Sequence, residues 1–404
     1  MKDDKKLELL LERFYNRFNQ YNTKVLEKLG EAIKKFDGVS PSMAHQIAQE
    51  LKYGTDIEDL MAELSRLSGK SIKDIEEAFD IVAEENVAFA EVYAKAKNME
   101  FVDYKNNEQL QRLVKGIAGE TNATFKNISK TRAIGFVLKD KNGNKIFKDL
   151  KKTYIDLIDE AVFNVETGVS DYQSSMRGVM KQLADSGVKI HEEKVGYPSG
   201  YNRRIDSSVR QNVLTGVRKV NITTQKIVGR QFGADGVEIS AHSPCAEDHL
   251  SIQGKQFSNK EFKKLNASLE RPIGEYNCRH FVFSIVLGVN QPSYSQKMLN
   301  QMNRESQSII EYEGNKYTKY EATQVQRKLE TAIRKEKDRQ IIARASGDKE
   351  IVANSQQNII ALTHKYNELS KVSNLPTYKN RLVVSGYRRV NASKLKWLFF
   401  YAKM

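Results

Sequence analysis

Leu7, Leu11, Phe14, Phe18, Tyr21, Val25, Leu29, Ile33 and Phe36 recur at steps of three and four residues. That spacing puts them on one stripe of a single long helix. A stripe so apolar has to be covered, so the chain must supply further packed elements. It can do so with helices. Only six prolines occur in 404 residues, so few positions carry the lost N–H and ring clash that interrupt a helix. The first stripe stops at Asp37-Gly38, with Pro41 close behind, as a helix end should.

The same signs continue beyond it. A shorter helix is expected over residues 42–53. Thr55 and Glu58 form a capping-box spacing that opens a helix over 56–67, and Ser71 with Asp74 opens another towards Ala96. Residues 106–164 read as mainly helical, interrupted by the polar turn cluster at 139–144. A helix over 170–183 ends at Asp185-Ser186-Gly187. After it, Val188 to His191 alternates in the manner of a strand. Residues 196–201 have loop chemistry. Asp206 or Ser207 can then cap a helix running to about Phe232. Its buried stripe is Val209, Val213, Val217, Val220, Thr224 and Ile227, and its other faces carry Arg210, Arg218, Lys219, Lys226 and Arg230.

Two short strands are expected at 237–240 and 280–287, where Val, Ile and Phe alternate or cluster. A small hairpin with its turn at Gly314-Asn315 precedes a long charged helix capped by Thr318 and Glu321. One more helix spans about 350–371, and the tail beyond it holds the only tryptophan, Trp397. No internal repeat or low-complexity linker is visible. The fold class is therefore α+β, mainly α-helical with a small central antiparallel β-sheet. Four consecutive segments are expected: helices over 1–105, a helical middle over 106–195, a central module over 196–291 and a basic, mainly helical region over 292–404.

Charge is unevenly spread. The whole chain carries +14, yet residues 1–100 hold 15 Lys and Arg against 20 Asp and Glu, whereas residues 291–404 hold 21 against 10. A basic surface neutralises phosphates without reading sequence. The candidates for nonspecific DNA contact are Arg327, Lys328, Arg334, Lys335, Lys337, Arg339, Arg388 and Arg389. Two cysteines make no disulfide framework and fit a reducing compartment. The first residues lack the apolar core of a signal peptide, and no apolar run reaches membrane-spanning length.

Unusual chemistry is confined to residues 240–280. Three of the six histidines and both cysteines lie there: His242, Cys245, His249, Cys278 and His280. The first group follows one expected strand and the second opens the other, so pairing of the strands would bring both groups to one sheet end. Thiolate and imidazole are zinc ligands. Cys245 with His249, and Cys278 with His280, would supply a Cys2His2 set, although the second pair is tightly spaced and His242 is a fifth candidate. The same residues also suit a hydrogen-bonded cluster that pins loop to sheet with buried thiols. A nucleophilic cysteine, Cys245 or Cys278, with a histidine base is a further option, as is a His-Asn-His metal nuclease built on Asp248, His249 and Asn277. Gly254-Lys255 lacks the additional glycines of a phosphate loop and reads as a turn.

Taken in order, Val237 to His242, Cys245, Asp248-His249, Gln253 to Ser258 and Tyr276-Asn277-Cys278-Arg279-His280 resemble the central motif of the phage minor capsid protein 2 family. That family is related to the Mu F-type head morphogenesis proteins. The helix over 204–232 and the stretch from Gln326 to Arg334 fit as well. The resemblance covers about 154–389 and is dense only over 240–280. It departs from the Mu F-type pattern in one respect, because histidine stands at His249 and His280 where cysteines are common. The resemblance implies a virion or procapsid protein of low copy number, beside the portal protein and other head proteins in the head interior. Such a protein is made in the host bacterial cytoplasm. No established catalytic activity comes with the resemblance, so no catalytic residue is transferred. The alternative is an enzyme delivered with the phage genome, such as a metal-dependent nuclease or a toxin-like transferase.

Overall fold

The computed structural model describes residues 4–96, 101–128, 133–140, 142–168, 172–194, 197–274 and 278–390. Trp397, Tyr276 and Asn277 lie outside the described residues. The helices, in chain order, are α1 (Asp4–Lys35), α2 (Pro41–Tyr53), α3 (Asp56–Ala96), α4 (Glu108–Ile128), α5 (Leu150–Glu166), α6 (Tyr172–Ser186), α7 (Ile205–Gln231), α8 (Glu247–Leu250), α9 (Asn259–Ser268), α10 (Gln296–Gln307), α11 (Lys319–Ser346) and α12 (Lys349–Val372). The strands are β1 (Ile134–Lys139), β2 (Lys145–Asp149), β3 (Lys189–Lys194), β4 (Tyr197–Arg204), β5 (Gly236–Ile239), β6 (Gln256–Ser258), β7 (Val282–Ile285), β8 (Ile309–Tyr312) and β9 (Asn315–Thr318). No helix among the described residues is long and apolar enough to cross a membrane.

The chain divides into two compact units. The first comprises Met1–Leu11, Lys70–Thr124 and Arg210–Val325, and the second Glu12–Gly69, Phe125–Val209 and Gln326–Met404. These stretches interleave, whereas the four segments outlined from sequence are consecutive. The fold is α+β and dominated by helices, as expected, but among the described residues the strands form three separate antiparallel sheets rather than one.

In the second unit, the expected stripe of α1 is buried from Phe14 through Phe36, and Phe14 and Phe18 meet Phe125 with ring centroids 6.4 and 5.9 Å apart. A four-stranded sheet of order β2-β1-β3-β4 stands beside α5 and α6. Sequence reading missed β1 and β2. The turn between them falls in the polar cluster at 139–144, and Phe136, Val137, Ile146 and Phe147 lie in the paired strands where helix was expected. It also assigned a loop where β4 pairs with β3. Ile333, Ile359 and Tyr366 join α11 to α12.

Arg204, Asp206 and Asp338 are buried in the same unit, with Arg334 half-buried beside them. Arg204 Nη1 donates to Asp338 Oδ2 at 2.5 Å, Arg204 Nε lies 3.5 Å from Asp206, and Arg334 Nη1 lies 3.6 Å from Asp206. Asn22 Nδ2 donates to Asp338, and Arg334 donates to the Tyr15 hydroxyl at 3.1 Å. Ions taken this far from water persist only when each is paired and hydrogen-bonded.

The first unit packs parts of α3, α4 and α7 together. Phe79 and Thr121 crowd Gly216, where a Cβ would come within 2.2 Å of the Phe79 ring. Asn86 accepts from Asn221 and Gln225 in the interior. One helix replaces two here, because α3 runs unbroken for 41 residues through Gly69. A mid-helix glycine costs about 1 kcal/mol but keeps its N–H, and Leu67, Ser68, Ser71 and Ile75 are buried on either side of it. The β8–β9 hairpin turns at Glu313-Gly314, both at positive φ, one residue earlier than the spacing suggested. Two consecutive positive φ angles are what a two-residue hairpin turn needs, and Gly314 adopts its own at no steric cost. Thr318 and Glu321 cap α11 reciprocally, as expected.

Candidate functional site

The site lies wholly in the first unit, at one end of the sheet β6-β5-β7. β5 is central and antiparallel to both neighbours, with Ile239 opposite Val282 and Glu238 opposite Gln256. The ladder extends one step further, since Ser240 N–H donates to Phe281 O and Phe281 N–H donates to Ser240 Oγ. The segment leaving β5 and the segment entering β7 are therefore bound together, and the two halves of the His/Cys motif meet as the sequence suggested. Val237, Ile239, Ile252, Ile273, Cys278 and Val282 form the apolar floor. The capping box of Ser258 and Glu261 starts α9, which packs against β5 and β6.

Both cysteines are reduced and buried. Cys278 Sγ lies 3.4 Å from His280 Nδ1 and 3.8 Å from His249 Nδ1. Cys245 Sγ lies 3.8 Å from the opposite edge of the His280 ring, at Nε2. His280 thus stands between the two sulfurs. Its ring also faces His242 at 4.4 Å and meets His249 edge-on at 5.1 Å.

Surrounding groups anchor much of the cluster, although the two ring nitrogens of His242 are buried without a hydrogen-bond partner. His249 Nε2 is 2.7 Å from Arg271 O, so that nitrogen carries the proton and donates it. Arg271 is gripped by both carboxylate oxygens of Asp248 and donates to the Tyr320 hydroxyl. Gln253 Oε1 accepts from His242 N–H and lies 3.5 Å from His280 Nε2, while its amide donates to Asn303 on α10. Ser306, one turn further along α10, donates to no sulfur but accepts from Cys245 N–H at 3.0 Å. Gly254 makes the turn after Gln253 at φ +69, and a Cβ there would come within 2.3 Å of Leu299.

Electrostatics divide the cluster in two. Burial, together with neighbouring His242, His249 and Arg218, lowers the His280 pKa to about 3. Burial and Arg279 lower that of His242 to about 4. Both rings are neutral. Burial pushes the Cys245 thiol up to about 12, helped by Asp248. Cys278 and His249 behave differently. Burial opposes ionisation of each, but the Cys278–His249 contact, aided at Cys278 by backbone donors and at His249 by Arg271 O, outweighs it. Cys278 is held below its ordinary value and His249 above. An opposite charge close by favours the charged form of each partner.

Chemically, three donor atoms of His249, Cys278 and His280 lie within 4.8 Å of one another. Cys278 is the sulfur that both imidazoles face, so the expected pairing of Cys245 with His249 is replaced by one centred on Cys278. The sequence pointed to none of Arg271, Asn303 and Ser306, and to Gln253 only as part of the family motif. Arg218, read as lying on a face of α7 other than its apolar stripe, is itself buried at 8 % exposure, near enough to Cys278 and His280 to act on them electrostatically. Asn303 and Ser306 carried a usable sign, being three apart on one helix face.

The basic candidates fall into two groups. Arg327, Lys328, Arg388 and Arg389 are at the surface, and Lys335 is half-buried. The other three are turned inward. Arg334 is held by Asp206 and Tyr15. Lys337 donates to Leu382 O and stands 4.7 Å from the Tyr387 ring centroid. Arg339 pairs with Asp185 and Glu336 at 2.7 and 2.6 Å. Their place on a charged helix could not reveal this, because α11 is covered on several sides.

A helix-rich α+β protein with a His/Cys cluster closing the end of a small sheet is the class that these observations define. The sequence model of the phage minor capsid protein 2 family matches residues 3–370, and the chain belongs to that family. Neither a curated protein nor a solved structure matches it. The protein is a structural component of a bacteriophage, of the virion, and other head proteins are its company.

Proposed function

We propose that this chain is a minor head protein of the procapsid and virion interior, made in the host cytoplasm and assembled beside the portal, where its basic C-terminal region contacts packaged DNA. Membership of the minor capsid family over residues 3–370 carries the reading. Two features support the finer part. The net charge of residues 291–404 is +11, and Arg327, Lys328, Arg388 and Arg389 expose cationic groups there. Contact of this kind is with phosphates and is independent of base sequence.

The sheet-end cluster acts in this reading as a brace. It ties the segment after β5, the segment before β7 and α10 into one block, so that the first unit can serve as a rigid adaptor. Mass spectrometry of purified particles, with copy counting against the portal protein, tests the assembly role. A chain found in a few copies per particle and cross-linked to portal supports it, and a chain absent from particles removes it. Fluorescence anisotropy of the full chain with two unrelated DNA duplexes tests the DNA contact. Equal binding that weakens steeply with salt is expected; no binding at low salt would end that part of the proposal.

A further inference from the structure

The geometry points to a zinc site made by His249 Nδ1, Cys278 Sγ and His280 Nδ1, with Cys245 outside the donor set. It rests on the donor positions and stands independently of the assembly role.

Zinc binds thiolate at about 2.3 Å and imidazole at about 2.0–2.1 Å in a tetrahedron, which sets sulfur and nitrogen ligands of one ion about 3.6 Å apart. The two separations from Cys278 Sγ, 3.4 Å to His280 Nδ1 and 3.8 Å to His249 Nδ1, lie on either side of that value. All three donors are close enough together to share one ion. One thiolate with two imidazoles is a set that zinc accepts and that magnesium or calcium, which prefer oxygen, does not.

The surroundings are those a ligated histidine needs. A metal-binding imidazole usually donates its other N–H to a carbonyl or carboxylate, which fixes the tautomer and aims the free lone pair. His249 donates from Nε2 to Arg271 O at 2.7 Å, which leaves Nδ1 facing Cys278. His280 presents Nε2 to Gln253 Oε1 at 3.5 Å, which leaves Nδ1 facing the same sulfur. Asp248 grips Arg271 and so acts as a positioning residue for the carbonyl that holds His249.

Cys245 is excluded by the ring between. Its sulfur meets the Nε2 edge of His280, on the far side from Nδ1, and its thiol is directed to Ala246 O at 3.4 Å. An ion on the Cys278 side would join α8 to the segment entering β7, two pieces separated by 29 residues of sequence, and would reinforce the adaptor block.

The test uses the full-length chain, produced with zinc supplied and then dialysed, with zinc counted by elemental analysis and affinity measured against a chromophoric chelator. One zinc per chain is expected, retained in Cys245→Ser and lost in Cys278→Ser. Asp248→Asn should keep the site but weaken zinc affinity by roughly tenfold to a hundredfold. Should Cys278→Ser fail to fold, cobalt substitution of the unmodified chain decides: a thiolate-to-cobalt band of one-thiolate strength, unchanged in Cys245→Ser, supports the assignment. Absence of stoichiometric zinc from the unmodified chain overturns the proposal. Loss of metal in Cys245→Ser equal to that in Cys278→Ser, or a band of two-thiolate strength, overturns the exclusion of Cys245 and with it the three-ligand site.

Discussion

Arg204 and Asp338, 134 residues apart in sequence, meet through a 2.5 Å hydrogen bond at which neither side chain is more than 7 % exposed. The pair draws in Asp206, Arg334, Asn22 and Tyr15, so β4, α7, α11 and α1 each contribute a polar group to one buried network. Asp338→Ala strands the Arg204 guanidinium with Asp206 as its remaining charged partner. Removing one member of a buried pair costs about 3–5 kcal/mol, and equilibrium urea denaturation should show a loss of that order. The double change Arg204→Met with Asp338→Leu should cost clearly less, because no buried charge is then left over.

Alkaline pH acts on the same unit with a sign that can be worked out. Burial lowers the pKa of Lys337 to about 8, and burial with nearby Arg204 lowers that of Lys189 to about 8. Between pH 8 and about 10.4 the unfolded lysines hold more protons than the folded ones, so stability rises with pH in that window. Burial raises Tyr21, Tyr154 and Tyr172 above their ordinary value. Those tyrosines stay protonated when folded, so the trend reverses above about pH 10. Denaturation midpoints taken from pH 7.5 to 11 should pass through a maximum, and Lys337→Met should flatten the rising limb.

Gly254→Ala should destabilise the first unit. An L-residue at φ +69 costs roughly 1–2 kcal/mol, and the added Cβ would press on Leu299 besides. Because Gly254 follows Gln253, the change should also disturb the contact of Gln253 Oε1 with His242 N–H. Thermal melts of the variant and the slow-exchange protection of the His242 amide check both effects.

The capping box of α9 offers a smaller and local test. Ser258 Oγ accepts from Glu261 N–H while the Glu261 carboxylate accepts from Ser258 N–H. Ser258→Ala should cost about 1 kcal/mol, read by denaturation. Hydrogen exchange should show the added opening confined to residues 259–268, and protection lost throughout the first unit would contradict a local role.

On DNA, the surface and inward cations should separate. Arg327→Ala with Lys328→Ala should reduce the salt slope of binding by about two, at about one per phosphate contact, and leave stability nearly unchanged. Arg339→Ala should instead lower stability through its lost pairs with Asp185 and Glu336. A salt slope unaffected by the surface pair would locate the contact elsewhere.

Much of the local structure was legible in the residues. The stripe of α1, the valine face of α7, the strands β5 and β7 and the Thr318–Glu321 cap all follow from spacing and propensity, which act over a few residues. So did the convergence of the two motif halves, since it needed only the pairing of two strands. The misreadings have local causes as well. Ser71 with Asp74 resembled a new helix start, but burial on both sides of Gly69 holds α3 in one piece. The residues flanking 139–144 resembled helix because short apolar runs fit either period.

Sequence alone determined that this is a helix-rich member of the phage minor capsid protein 2 family with three of its six histidines and both cysteines within residues 240–280. Tertiary structure decided which atoms face which: that Cys278 rather than Cys245 lies before both Nδ1 atoms, and that Arg334, Lys337 and Arg339 turn inward while Arg327 and Lys328 do not. The physical reason is that spacing along a strand or helix fixes only the side from which a side chain leaves. Its partner and its protonation are set by groups such as Arg271, Gln253 and Asp206, which packing brings from distant parts of the chain.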